Sequence, residues 1–305
     1  MLRFIIKRLF LAVAVAFTVS MISFSLLFMA GDPAIALAGE SATEADIEAY
    51  RVQYGFDRPI FEQYVSWLGN FLTGDFGKSY YFGTPVFDLV MSKLPVTMTL
   101  GFCAITFAIL ISIPMGAIAA TRPNSLIDRV ALFIAVVGQA MPSFWFALLM
   151  IVAFAVKLGW LPVSGSSSWY HFIMPTIALG YYATPAIMRL TRAGMMEVLG
   201  TDYIRTARAK GMSPTKILFK HALRNAVIPV VGLAAVQLGF MLSGSVIIES
   251  IFALNGAGFL AFESISRNDF PVVQALIMIF SLIYVLLTLL SDVLNAWLDP
   301  RIRTA

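Results

Sequence analysis

The chain has 305 residues, 59% of them hydrophobic and 12% charged, where soluble domains carry roughly a quarter charged. That balance excludes an ordinary water-soluble fold, and because the apolar runs recur along the whole chain it also excludes a soluble domain with one greasy anchor. A net charge of +4 could suggest nucleic acid, but the basic residues follow membrane topology, and the single Cys103, inside an apolar run, leaves no internal disulfide.

A hydrocarbon core about 30 Å thick needs roughly 20 apolar helical residues, and in lipid a helix satisfies its backbone hydrogen bonds within one segment. Six runs are predicted to span: Leu9 to Ala30, Val96 to Ala120, Val130 to Val156, Phe172 to Met188, Ala226 to Ile248 and Val272 to Trp297. The fourth is the weakest. The first follows Arg3, Lys7 and Arg8 and precedes small residues around Ala36 to Gly39, the outline of a cleaved signal peptide. Its apolar stretch exceeds the about 7 to 15 residues of a signal core, so a retained helix is expected.

With the N-terminus inside, the inner segments are residues 1–8, 121–129, 189–225 and the C-terminal tail. They hold all but six of the 21 Lys and Arg, including Arg122, Arg129, Arg189, Arg192, Lys216, Lys220, Arg224, Arg301 and Arg303, which matches the positive-inside rule. The outer segment 31–94 is acid-rich, with Asp32, Glu40, Glu44, Asp46, Glu48, Asp57, Glu62, Asp75 and Asp88, and its periodicity predicts short amphipathic helices over Thr43 to Gln53 and Ile60 to Leu72. Both termini are therefore expected in the cytoplasm, around one membrane domain, 1–305, without internal repeats.

The segment from Arg189 to Asn225 is long and cationic. Asp202 is expected to N-cap a helix running to Lys210, Gly211 to supply a left-handed C-terminal residue, and Ser213 with Pro214 to open a second helix. Composition alone would make this a membrane-surface anchor, each Lys or Arg gaining about 1 kcal/mol near anionic headgroups. A DNA-binding helix-turn-helix is poorly placed, because both ends are tethered by spans.

Tyr203-Ile-Arg-Thr-Ala-Arg-Ala-Lys-Gly211, followed by His221-Ala-Leu-Arg-Asn-Ala226, resembles the cytoplasmic coupling loop of ABC importer permeases. The general pattern has a Glu-Ala-Ala triplet at a fixed interval before a glycine. Here Arg205-Thr206-Ala207 takes the triplet and Gly211 the glycine, and with Arg224 in place of proline this is the form of the dipeptide, oligopeptide and nickel branch. The resemblance extends through Tyr54-Gly-Phe-Asp-Arg-Pro59, Gly74-Asp-Phe-Gly77, Met141-Pro-Ser-Phe-Trp145, Glu249-Ser-Ile-Phe252, Asn255-Gly-Ala-Gly258, Asp269-Phe-Pro-Val-Val-Gln274 and Asp299-Pro-Arg-Ile-Arg303, similar to that branch's first permease subunit.

The resemblance implies an all-α integral membrane protein with about six transmembrane helices and the type I ABC importer permease fold, in the bacterial inner membrane. It implies the channel-forming subunit of an ATP-driven importer of di- or oligopeptides, with glutathione, nickel chelates, opines and oligosaccharides carried by related systems. Implied partners are a second homologous permease, two ATPase subunits that hold ATP and Mg, and an extracytoplasmic binding protein. The residues implied to couple to the ATPase are Asp202, Tyr203, Arg205, Thr206, Ala207, Arg208, Ala209, Lys210, Gly211, Ser213 and His221. No catalytic site, cofactor or metal is expected on this chain.

Other polar marks carry less. Gly77-Lys78-Ser79 echoes the end of a P-loop, but that motif's first glycine would fall on Leu72. His171 and His221 lie in no metal-ligand motif. Within the spans, Gln139, Ser143, Gln237, Ser243 and Ser245 should face other helices or an aqueous path. Gln139, Ser143, Gln237 and Ser243, with a kink at Pro142, are the candidate translocation path. An ion-coupled secondary transporter is the alternative, expected to show midplane ionisable residues and repeats that are not evident; an intramembrane protease would need a catalytic motif that is also not evident.

Overall fold

The computed structural model describes residues 2–29, 32–39 and 42–298. The Asp299-to-Arg303 motif, Arg301, Arg303, Glu40 and Ala30 lie outside the described residues. Fourteen helices are described in chain order. They are α1 (Leu2–Met29), α2 (Pro33–Ala38), α3 (Glu44–Tyr54), α4 (Ile60–Leu72), α5 (Val86–Thr121), α6 (Leu126–Ala140), α7 (Ser143–Met150), α8 (Tyr170–Leu199), α9 (Asp202–Ala209), α10 (Pro214–Lys216), α11 (Leu223–Ala226), α12 (Ile228–Ile251), α13 (Ala257–Ser266) and α14 (Phe270–Leu298). Wider π-helical turns extend α7 through Lys157 and join α10 to α11 over Ile217–Ala222.

Among the described residues α1, α5, α12 and α14 are each long and apolar enough to cross a membrane, and α6 with α7, bent by 101°, passes the same test only when the pair is taken together, as a broken span or a re-entrant hairpin. The bend is far sharper than a simple kink in the expected Val130-to-Val156 run. Its cause is Pro142, which lacks an N–H and forces Met141 into an extended conformation with φ −87° and ψ 131°. The predicted Phe172-to-Met188 run lies in α8, which is not among the described helices long and apolar enough to cross; it is 30 residues long and continues through Arg189 and Arg192 to Leu199, so the segment predicted as a loop from Arg189 begins as helix.

The core is an α5–α8 pair flanked by α12 and α7. Leu100, Ala104 and Ala108 of α5 meet Ala178, Ala183 and Ile187 of α8, with Leu238 and Leu242 of α12 closing the cluster. Small residues set the distance of approach, as in helix pairs generally within lipid: a Cβ on Gly180 would stand 2.5 Å from the Ala104 carbonyl.

The long α5 also serves as a ruler. Residues 76–90 and α13 pack around its Val86 end with α14, whereas α9 to α11 pack around Ala117 and Ala120 near its Thr121 end. At ~1.5 Å per residue these ends lie about 50 Å apart. At the Val86 end, α3 starts on a reciprocal cap in which Thr43 Oγ1 accepts from the Asp46 N–H and the Asp46 carboxylate accepts from the Thr43 N–H. It stops at Gly55, whose φ of 72° is left-handed.

Candidate functional site

The cationic motif folds into a knob made of α9, a turn at Gly211 and the α10–α11 arm. The expected cap is corrected by one residue: Thr201 occupies the N-cap position, while Asp202 starts the helix and pairs with Arg205 at 2.7 Å. The other punctuation stands as read. Gly211 has φ 72°, its N–H donates to Arg208 O at 2.9 Å, and the Met212 N–H donates to Ala207 O at 3.3 Å, a Schellman end that only a left-handed residue closes cheaply. Ser213 caps the next turn, its hydroxyl accepting from the Lys216 N–H at 3.4 Å.

The knob is docked through one apolar face. Ile204 is fully buried and Ala207 is 8% exposed, and with Ile217, Ala222 and Ala226 they pack on Ala117 and Ala120 of α5 and Met195 of α8. Tyr203 braces its two arms: the phenol accepts from Asn225 Nδ2 at 2.8 Å and donates to His221 O at 3.4 Å. Asp202, Arg205, Thr206, Arg208, Ala209, Lys210, Gly211 and Ser213 stay exposed. Of the predicted contact residues, Ala207 is turned into the bundle and serves packing, and His221 is half-buried within the knob itself.

A second feature ties the neighbouring helices. Asp128 of α6 is buried, and its two oxygens accept from Arg192 Nε and Nη2 of α8, each at 2.6 Å, while the Asn124 N–H donates to it at 2.8 Å. Higher on the same pair, Tyr181 of α8 donates to Ile134 O at 2.7 Å and Arg189 donates to Gln139 at 3.3 Å. Asp128 drew no notice in the sequence because Ser125-x-x-Asp128 reads as an ordinary helix start, and Ser125 does accept from the Asp128 N–H.

The residues proposed for a translocation path are dispersed. Gln139 and Ser243 are exposed and Ser143 and Gln237 half-buried, with Pro142 at the sharp bend; Ser245 is buried and donates to Leu242 O at 2.9 Å.

At the opposite end, two carboxylates are fully buried. Glu249 of α12 accepts from Thr97 Oγ1 of α5 at 2.8 Å and from the Phe259 N–H of α13 at 2.9 Å, so it neutralises the first turn of the helix that follows its own and ties both to α5. Asp269 accepts from the Ser79 hydroxyl and from the Tyr80 N–H at 3.0 Å. Ser79, the last residue of the P-loop echo, is thus a structural donor. Burial pushes the Tyr80 phenol well above its ordinary range.

These features define a multi-spanning helical membrane protein with a rigid cationic knob. Residues 112–304 match the family described as the inner membrane component of binding-protein-dependent transport systems, and residues 1–101 match the N-terminal region of such membrane components. The glutathione transport system permease protein GsiC of Escherichia coli strain K12 is 41% identical over 304 residues, covering 99% of each chain. The protein of that name from Shigella dysenteriae serotype 1 is equally similar, at 41% over 304 residues. Among solved structures, an inward-facing MetNI methionine ABC transporter chain aligns with a TM-score of 0.57 at 21% identity, covering 69% of this chain and 96% of that one. A second crystal form gives 0.53 at 23%, covering 71% and 95%. At that identity the likeness shows the fold alone.

The chain belongs to the binding-protein-dependent transport system inner membrane component family. It is the permease component of an ABC importer, a non-catalytic subunit, and the ion-coupled carrier left open from the sequence is not supported.

Proposed function

We propose that the knob is the cytoplasmic coupling element through which partner ATPases drive this permease. On this reading Asp202, Tyr203, Arg205, Thr206, Arg208, Ala209, Lys210, Gly211 and Ser213 form the face presented to an ATPase groove, with ATP and Mg held by that partner. The observation that carries the reading is the combination of an exposed cationic face and an apolar underside locked onto α5 and α8. Such a body transmits displacement to the spans instead of flexing, because close-packed interfaces do not deform continuously. The Thr121 end is then cytoplasmic with both termini, and residues 31–94 are extracytoplasmic, where a binding protein docks. The whole chain, 1–305, works as one permease domain beside a homologous second permease, in a complex with two ATPase subunits.

The substrate proposed is a short peptide. Support comes from the family branch that the sequence resembles and from relatives named for glutathione, itself a tripeptide. Transport follows alternating access, with the bend at Pro142 and the polar groups Gln139, Ser143, Gln237 and Ser243 near the path. The test is disulfide trapping in the assembled importer, using Arg205→Cys and a cysteine in the ATPase groove. Cross-linking that varies with nucleotide and arrests peptide-stimulated ATP hydrolysis is expected; a knob that never contacts the ATPase would refute the coupling role.

A further inference from the structure

The helix α4 lies in the segment that charge places outside the membrane, yet its contacts are with a membrane span. Tyr64 packs edge-on against Phe17 and Phe24 of α1, at 6.3 and 5.4 Å between ring centroids, and its hydroxyl meets Ser20 Oγ at 2.7 Å. Trp67 sits 5.7 Å from Phe24. The apolar part of α1 runs over Ile5–Phe28, so Ser20 lies about 12 Å below its end at ~1.5 Å per residue. A helix whose side chain reaches that level stands beside the hydrocarbon.

The remaining faces of α4 agree. Glu62, Ser66 and Asn70 share one polar flank and, with Arg58, Asp75 and Lys78 and the rings of Phe24, Trp67 and Phe76, line an open cavity of about 420 Å³. On the opposite flank Phe61, Val65, Leu68 and Leu72 recur at helical spacing in a narrow arc. Among the described residues three of them are left exposed, Phe61 75%, Val65 50% and Leu72 77%. The span it leans on is likewise apolar and exposed, at Phe17 and Met21 of α1.

We propose that α4 is a half-membrane helix, seated in the leaflet at the Val86 end with Phe61, Val65, Leu68 and Leu72 against lipid acyl chains. Its occupant is phospholipid, because the Tyr64 anchor fixes the depth of the stripe relative to a span that has to lie in hydrocarbon. The polar flank meanwhile stays open to water, so one helix forms the boundary between bilayer and cavity. This goes beyond the coupling role and does not depend on which side of the membrane the Val86 end faces.

The experiment uses the assembled importer in lipid nanodiscs, with Cys103 replaced by Ser and single cysteines at Val65, Leu72, Ser66 and Asn70 in variants that retain uptake. Val65→Cys and Leu72→Cys are expected to react with a charged maleimide on the order of tenfold more slowly than Ser66→Cys and Asn70→Cys, as burial of an amphipathic face in lipid predicts. A bimane on Val65→Cys should also be quenched by nitroxide on lipid acyl chains. Equal labelling of the two flanks overturns the proposal, and so does protection of Val65→Cys without acyl-chain quenching, which would assign the stripe to a protein partner.

Discussion

The knob at the Thr121 end and the assembly at the Val86 end are both short helices held against the same long α5 by an apolar cluster, but only the second adds fully buried carboxylates. The knob is held by alanine, isoleucine and methionine packing, with its charges turned outward. The other assembly is pinned by polar contacts, Glu249 across α5, α12 and α13, and Asp269 onto residues 79–81. Both interfaces are close-packed and resist continuous deformation, and a buried carboxylate with fixed donors is in addition satisfied in one arrangement and costly in others. The Val86 end is therefore held by packing and by buried polar partners together, and the knob is docked on α5 and α8 by packing.

The sharpest way to break that contrast is Gly211→Val. A Cβ there would meet nothing within 4 Å, so the change acts through the left-handed backbone alone, at about 1–2 kcal/mol. Uptake is expected to fall to background with normal amounts of protein in the membrane, while Gly211→Asn, which tolerates that conformation, keeps part of it. Normal uptake by the valine variant would count against the coupling role.

Next in size is Glu249→Ala, which strands the Thr97 hydroxyl and the Phe259 N–H in the interior. It should destabilise the Val86 end by about 3 kcal/mol, read as a lower thermal midpoint of the purified complex, with Glu249→Gln in between. Equal midpoints for the three would show that the carboxylate does not fasten α13. Ile204→Ala removes the centre of the knob's underside. A loss of about 2–3 kcal/mol is expected there, visible as faster hydrogen exchange across residues 202–226 with α13 unchanged.

The smallest effects belong to exposed groups. Arg205→Ala should leave stability within about 0.5 kcal/mol, because its pair with Asp202 is largely solvated, and should act instead on ATPase affinity in a salt-dependent manner. Acid probes α2 and α3. Burial pushes the Asp32 carboxyl up, but hydrogen bonds from Arg51 and the Ala34 N–H more than reverse this and hold it low. Asp46 is held low by the Thr43 hydroxyl and N–H. Depressed carboxylates contribute fully above the ordinary value of 3.8 and lose that contribution as pH falls through the lowered one. A spin label on Ala49→Cys should therefore keep its mobility down to about 3.8 and loosen only below it.

Much of this was legible in the order of residues. Apolar runs of about 20 residues announce spans because within one segment a helix is what satisfies the backbone in lipid, and local caps are read directly, as at Gly211 and Ser213-Pro214. The same local logic placed the N-cap one residue late, at Asp202, since Thr201 and Asp202 are equally plausible neighbours. The size of the bend at Pro142 depended on what α6 and α7 pack against, and a proline alone sets no angle.

The sequence by itself determined that the chain lives in a membrane, the four apolar runs that became α1, α5, α12 and α14, where the basic knob bends and which family it resembles, because hydrophobicity, turn chemistry and motif spacing are properties of neighbours along the chain. Only the tertiary structure decided that Ala207 faces inward, that Arg192 belongs to Asp128, that Glu249 is paired with Thr97 of α5, and that α4 leans on α1. These are contacts between residues up to 152 positions apart, as for Thr97 and Glu249. A buried polar group advertises only that it needs a partner, and the packing of the helices chooses which one.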